Sequence, residues 1–324
     1  MRGGTLPSGP ELATGRECGV ARIARTIAQV HPPMSEDLPR RVVILTHARE
    51  RRATDVPYQI WGIADLWRAW GVEVVVARGT SELVDADVVV NHVNLTVVPD
   101  AYLRAMAGYA VAINGRVADI SKRRISRNLL RRGDAWDGRV IVKTDRNCGG
   151  MPERRYLLGG VGRYLRDLRL RMSRRPWRVR RSIRSDRYPV FESIAAVPAD
   201  VWGNPAFVVE RFLPERDGDD YVLRTYTFFG TCHLARRSFA SVPVVKAGGT
   251  TRVEYVDPHP DVIAFARETG LDRGKLDYVV RDGRAVVLDV NKTNTLGRAM
   301  TPERRRETCE RLAPGLRCFW PPRK

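Results

Sequence analysis

Four short apolar runs, RRVVILTH (40–47), VEVVVA (72–77), ADVVVNHV (86–93) and VAIN (111–114), constrain this chain more than any other feature. Between the first two lies PYQIWGIADLWRAWG (57–71), with Ile60, Ile63, Ala64 and Trp67 at helical spacing and Gly71 as a stop. Between the last two lies a second helical stretch, DAYLRAMAGYA (100–110). Strand and helix in alternation predict a small parallel sheet with crossover connections. No G-x-G-x-x-G follows the first run, so a dinucleotide site is not indicated.

The pattern then changes. Residues 115–137 are basic, and DISKRRISRNLLRRG is expected to be helical. GRVIVKTDRNCGG (138–150) reads as a strand running into a glycine loop. FVVERFL (207–213), YVLRTYTFF (221–229) and TCHLARRSFA (231–240) read as successive strands, and HPDVIAFARETGLD (259–272) as a helix. KLDYVVRDGRAVVLDVN (275–291) is a hairpin turned at Asp282-Gly283, and PERRRETCERLAP a closing helix. The fold class expected is an α/β parallel-sheet domain at 40–115 followed by an α+β domain at 116–318 with two antiparallel-sheet subdomains. The smaller of these subdomains lies within 138–213.

Residues 1–39 read as a disordered tail without an apolar signal core, and Met34 is a candidate start. No run reaches the length of a membrane span. Five cysteines at 18, 148, 232, 309 and 318 form no C-x-x-C pair, which points to a reducing cytoplasm rather than a disulfide scaffold or zinc site. The net charge is +19, and of 56 basic residues only six are lysine, at 122, 143, 246, 275, 292 and 324. Arginine-favouring codons account for most of that excess; an anionic partner would account for the rest. Residues 154–187 carry 13 Arg against Asp167 and Asp186, with leucines spaced as on a solvated amphipathic helix. No RNA-binding or helix-turn-helix signature supports nucleic acid as the partner. His47 reads as a satisfied strand-end histidine, and Trp61, Trp67 and Trp70 read as packing residues.

The hairpin carries the chemistry. Asp277 lies on its first strand opposite about residue 288 or 289 of the second, and Asp289 and Asn291 share a face. Both acids are embedded in apolar runs, where facing carboxylates need neutralising. Oxygen-only donors suit Mg²⁺, with Mn²⁺ as a substitute. Lys143 ends an apolar strand ahead of Gly149-Gly150, whose backbone amides can approach an anion closely.

This ordered set resembles the ATP-grasp superfamily over about residues 40–300, with 40–115 as its preceding Rossmann-like domain. The resemblance rests on Lys122 in ADISKRRIS, Lys143 in VIVKTDRNCGG and Glu210 in FVVERFLPE. It rests further on Arg224 in DDYVLRTYTFFG, Arg236 or Arg237 in HLARRSFA, and Asp277, Asp289 and Asn291. It implies that Lys122 and Lys143 contact ATP phosphates and that loop 145–150, with Gly149 and Gly150, closes over them. Glu210, Arg211, Phe212 and Leu213 would line the adenine and ribose, with Glu215 as a ribose contact. Arg224, Arg237 and Lys143 would be catalytic, and Asp277, Asp289 and Asn291 would hold Mg²⁺. The implied activity is an ADP-forming ligase joining a small-molecule carboxylate to an amine or another nucleophile such as a thiol, as a homodimer in some relatives. A kinase on the same fold and a non-catalytic basic nucleic-acid-binding protein are the alternatives. Two features depart from the family: Asp289 stands where Glu is usual, and KTNTLG follows Asn291 in place of a proline-containing loop.

Overall fold

The computed structural model describes residues 38–50, 55–157, 176–184, 187–297 and 300–320. Residues 1–37 of the tail expected at 1–39, Met34 among them, and most of the arginine-dense segment 154–187 lie outside the described residues; Leu38, expected in that tail, is instead buried in the first core.

Strands β1 (Arg41–Thr46), β2 (Glu73–Arg78), β3 (Val88–Asn91) and β4 (Val111–Ile113) form a parallel sheet ordered β2-β1-β3-β4. Helix α1 (Gln59–Ala69) buries Ile60, Ile63, Ala64 and Trp67 against one face. Helix α2 (Asp100–Met106) buries Tyr102 and Met106 against the core of the other face. Val42, Ile44, Val88 and Val90 pack toward α1, whereas Val43, Leu45 and Val89 pack toward α2. Burial on both sides is why these strands read as continuous apolar runs.

The helix expected across DISKRRISRNLLRRG does not form. Only Lys122–Ile125 make a helical turn (α3), after which Leu129 and Leu130 pair with Glu210 and Val209. Leu130 is buried in the small-sheet core, so tertiary pairing overrides local propensity.

Two antiparallel sheets follow. The large one runs β12 (Arg252–Val256), β11 (Cys232–Ala240), β10 (Asp220–Phe229), β13 (Arg273–Arg281), β14 (Arg284–Asn291), with β9 (Glu215–Asp217) paired to β10. Helix α4 (Pro260–Glu268) covers one face through Val262, Phe265 and Ala266. The small sheet runs β5 (Leu129–Leu130), β8 (Phe207–Arg211), β6 (Val140–Thr144), β7 (Val190–Phe191). A parallel layer followed by two antiparallel sheets is the expected fold class.

The C-terminal segment, expected to belong with residues 116–318, closes the first core instead. Helix α5 (Pro302–Leu312) starts at Thr301, whose hydroxyl accepts from the Arg304 N–H. Cys309, Leu312, Ala313 and Leu316 are buried among the α1 side chains, and Trp67 Nε1 donates to Ala313 O at 3.0 Å. Sequence proximity groups this helix with the hairpin; packing returns it to the N-terminal sheet. The crossing is tight, since a Cβ on Gly315 would collide with Phe229 O. Gly315→Ala must therefore move backbone, and thermal unfolding should show a loss of about 1–3 kcal/mol. No helix among the described residues is long and apolar enough to cross a membrane.

Candidate active site

The β13–β14 hairpin turns at Asp282 (φ 50°) and Gly283 (φ 72°), the left-handed pair that a two-residue hairpin loop requires. Asp277 lies directly opposite Asp289; the register then shifts, with Tyr278 opposite Val287. Leu288 is thus the extra residue of a bulge, and its carbonyl accepts from Lys143 Nζ at 3.5 Å.

Lysines neutralise the facing carboxylates. Lys122 Nζ donates to Asp289 Oδ1 at 2.8 Å, and Lys275 Nζ to Asp277 Oδ2 at 2.9 Å. Thr225 Oγ1 donates to Asp277 Oδ1 at 3.1 Å. Burial alone would raise the Asp289 pKa, yet Lys122, with Lys143 and Lys275, holds it below the usual carboxylate range. Burial would lower the Lys122 and Lys275 pKa values, but their carboxylate partners override it and raise both.

The small sheet supplies the opposing wall. Val140, Val142 and Val209 face its own core, so Lys143 on β6 and Glu210 on β8 face the hairpin. Lys143 Nζ stands 2.7 Å from Glu210 Oε2, an ion-pair distance without hydrogen-bond alignment. Glu210 is fully buried. Lys122, Lys143, Glu210, Asp277 and Asp289 therefore meet between two sheets. Two surface hollows, one beside Val84 and Trp320 and one beside Trp136 and Trp202, contain none of these residues.

Several predicted residues stand elsewhere. Arg224 lies on the opposite face of β10, bidentate to Glu215 with Nε–Oε2 3.0 Å and Nη2–Oε1 2.7 Å. Glu215 also accepts from the Val280 N–H at 2.7 Å, so its carboxylate is already engaged by Arg224 and the β13 backbone. Arg237 pairs with Asp217 and Glu254 on that same far face. Strand parity selects its neighbour. Arg236 pairs with Thr225, which pairs with Asp277, which pairs with Asp289, in one row across four strands. The Nε of Arg236 is buried without a hydrogen-bond partner among the described residues. Arg211 alternates away from Glu210, with its guanidinium 5.0 Å over the Trp136 ring, and Asn128 takes both its backbone groups. Phe212 donates its N–H to Arg139 O at 2.9 Å, and Leu213 is half-buried.

Loop 145–150 is docked on the hairpin rather than held open. Asn147 accepts from Lys122 Nζ at 3.3 Å and donates to Val290 O. Gly149 and Gly150 are buried at φ 66° and 69°, and Gly149 O accepts from Ser182 Oγ at 2.7 Å. Asn291 Oδ1 accepts from the Thr293 N–H at 2.9 Å, which leaves that oxygen one further lone pair. Two facing carboxylates and an amide oxygen fit a magnesium ion that completes its shell with phosphate and water.

The sequence pattern does not single out Lys275 or Lys246, and it leaves Arg236 as the alternative to Arg237. Lys246 lies in the field of Asp289 and Asp277, its pKa lowered by burial despite their pull. A usable signal is the scarcity of lysine. Where arginine is the default cation, a retained lysine marks a place that needs a compact ammonium group. Four of the six lysines gather around Asp277 and Asp289.

Beside this cluster, His47 and His92 follow the carboxyl ends of β1 and β3, where the strand order reverses and α/β folds place their ligands. His92 is fully buried, edge-on to Tyr58 (4.7 Å) and Trp61 (5.3 Å). Burial, then Arg273 and Lys292, push its pKa well below 6.5. Above pH 6.5 both folded and unfolded states hold it neutral. Below that, the unfolded chain takes up a proton the folded chain refuses, so stability falls by about 1.4 kcal/mol per pH unit until the folded pKa is reached. His47, also lowered by burial and by Arg49, adds to the fall. His92→Phe should remove one proton from the slope of urea-measured stability between about pH 6.5 and 5.5; an unchanged slope would contradict this.

The chain is similar in structure to D-alanine–D-alanine ligase from Bacillus anthracis, at 11% identity and TM-score 0.43, covering 86% of this chain and 94% of that one. It is similar to the ATP-grasp ligase PsnB complexed with minimal precursor, Mg and ADP, at 15% identity and TM-score 0.48, covering 85% and 97%. A Chryseobacterium gregarium RiPP-associated ATP-grasp ligase, in complex with ADP and a leader and core peptide, matches at 10% identity and TM-score 0.49, covering 87% and 98%. The latter two are ATP-grasp ligases. No family model and no curated protein matches the sequence.

Proposed function

We propose that the chain is an ATP- and Mg²⁺-dependent ligase that activates a carboxylate as an acyl phosphate and joins it to an amine. The observation that supports this is the meeting of Lys122 and Lys143 with Asp277 and Asp289 between two sheets. Phosphoryl transfer needs little covalent chemistry from a protein; it needs positioning and neutralised charge. Lys122 and Lys143 would hold the triphosphate, exchanging their carboxylate partners for phosphate oxygens. Glu210 and the backbone to Leu213 would line the nucleoside. Asp277, Asp289 and Asn291 would hold Mg²⁺, which supplies charge neutralisation on the phosphates when bound. Arg236 and Lys275 stand on the same face and would steady the transferring group.

A substrate carboxylate oxygen attacks the γ-phosphorus, and the bond to the bridging oxygen breaks to release ADP. The amine nitrogen then attacks the acyl carbon, the carbon–oxygen bond to phosphate breaks, and the amine loses its proton. The test is ADP release from the full chain with Mg²⁺ across a panel of carboxylates and amines. Release that requires both additions supports the ligase. A phosphorylated product without free phosphate would make it a kinase. Absence of ATP binding, with steeply salt-dependent nucleic-acid binding, would make it a basic binding protein instead.

A further inference from the structure

His92, Arg273 and Lys292 are three bases of at most 1% exposure, between the carboxyl end of the parallel sheet and the foot of β14. They share one electrostatic neighbourhood, since Arg273 and Lys292 both act on His92. Their donors are poorly used. Both ring nitrogens of His92 and one terminal nitrogen of Arg273 are buried without a partner among the described residues. The other terminal nitrogen of Arg273 donates to Lys292 O at 3.1 Å, and Lys292 Nζ donates to Leu95 O at 2.5 Å. Among the described residues no carboxylate forms an ion pair with either cation; Glu153 and Asp119 act on Lys292 only through their fields.

Buried charges are ordinarily paired, because removing a cation from water costs far more than one carbonyl contact returns. Arg273, and Lys292 whenever it is protonated, lie beside an unsatisfied histidine and lack a negative charge; without one, burial holds the Lys292 pKa down to about 7. The cluster is also continuous with the proposed reaction site. Arg273, Lys275 and Asp277 alternate onto one face of β13, so Arg273 lies about 7 Å along the strand from Lys275. Tyr58 and Trp61 give it an apolar wall.

We infer that His92, Arg273 and Lys292 anchor a second oxyanion of the substrate. The substrate class, resting on the ligase reading, is then a small acid carrying one carboxylate for activation and another carboxylate or phosphate for anchoring.

The test is thermal unfolding of the full chain titrated with succinate, with inorganic phosphate, and with chloride at matched ionic strength. Succinate or phosphate should raise Tm saturably while chloride does not, and whichever binds tighter identifies the anchored group. Arg273→Gln should weaken that response at least tenfold. Should that variant not fold, Lys292→Met reads the same question. It should match or exceed the wild-type Tm without added anion, because an uncompensated charge is removed, and it should lose the anion response. A wild type indifferent to both anions, or a Lys292→Met variant of lower Tm whose anion response is intact, would overturn the inference. MgADP binding, measured in parallel on the wild type, separates the two readings. Binding retained without an anion response defeats only the anchor; binding absent defeats the ligase.

Discussion

Asp289→Asn is expected to reduce ADP formation by about 10³-fold, the scale on which one preorganised electrostatic group contributes to catalysis. Asp289 is where the two halves of the site meet, holding Lys122 at 2.8 Å and facing Asp277 across the ladder. The amide keeps the shape of the side chain but loses the negative charge that would share the metal. Stability should fall as well. Lys122 is 3% exposed and would be left without its carboxylate, but Asp289 keeps 38% of its side chain exposed. The loss should therefore be about 1–3 kcal/mol, short of a fully buried pair. Adding Lys122→Met to Asp289→Asn should recover most of that stability and none of the activity. Steady-state ADP release and urea unfolding on the wild type, both single variants and the double variant read both effects. Activity retained within about tenfold in Asp289→Asn would remove Asp289 from the site.

Arg236→Ala should lower kcat by about 10²–10³-fold. Arg224→Ala and Arg237→Ala should leave kcat within about threefold while costing about 1–2 kcal/mol of stability. The contrast comes from strand parity. Arg236 shares the Thr225–Asp277–Asp289 row, whereas Arg224 and Arg237 direct their charge to Glu215, Asp217 and Glu254 on the other face. A kcat loss confined to Arg237→Ala would mean that the face assignment is inverted.

Much of this site can be read from residue order. The alternation that puts Asp289 beside Asn291 is local, and so is the Asp282-Gly283 turn that brings Asp277 opposite Asp289. Lys143 stands out because it ends a run of valines and isoleucine. What local pattern does not supply is relative position across long separations. The choice between Arg236 and Arg237 depends on register with β10 and β13, which no spacing within HLARRSFA encodes. Lys275 looks like an ordinary strand-start cation until its partner Asp277 is placed on the same face. The basic segment around Lys122 carries helix-forming residues, yet Leu129 and Leu130 are drawn into the small sheet by β8. Helix α5 joins the N-terminal core because Trp67, 246 residues away, accepts its packing and bonds Ala313.

Calorimetric titration of the full chain with MgATP tests the central claim most directly, namely that the Lys122 and Lys143 ammonium groups and the carboxylates of the large sheet converge on a nucleotide. The wild type should bind one equivalent. Lys143→Met and Asp289→Asn should each weaken binding by about 10²-fold, the scale of one charge-assisted hydrogen bond removed from a shielded site, while Arg237→Ala binds as the wild type does. Equal binding by the wild type and all three variants, or none by the wild type, would contradict the account.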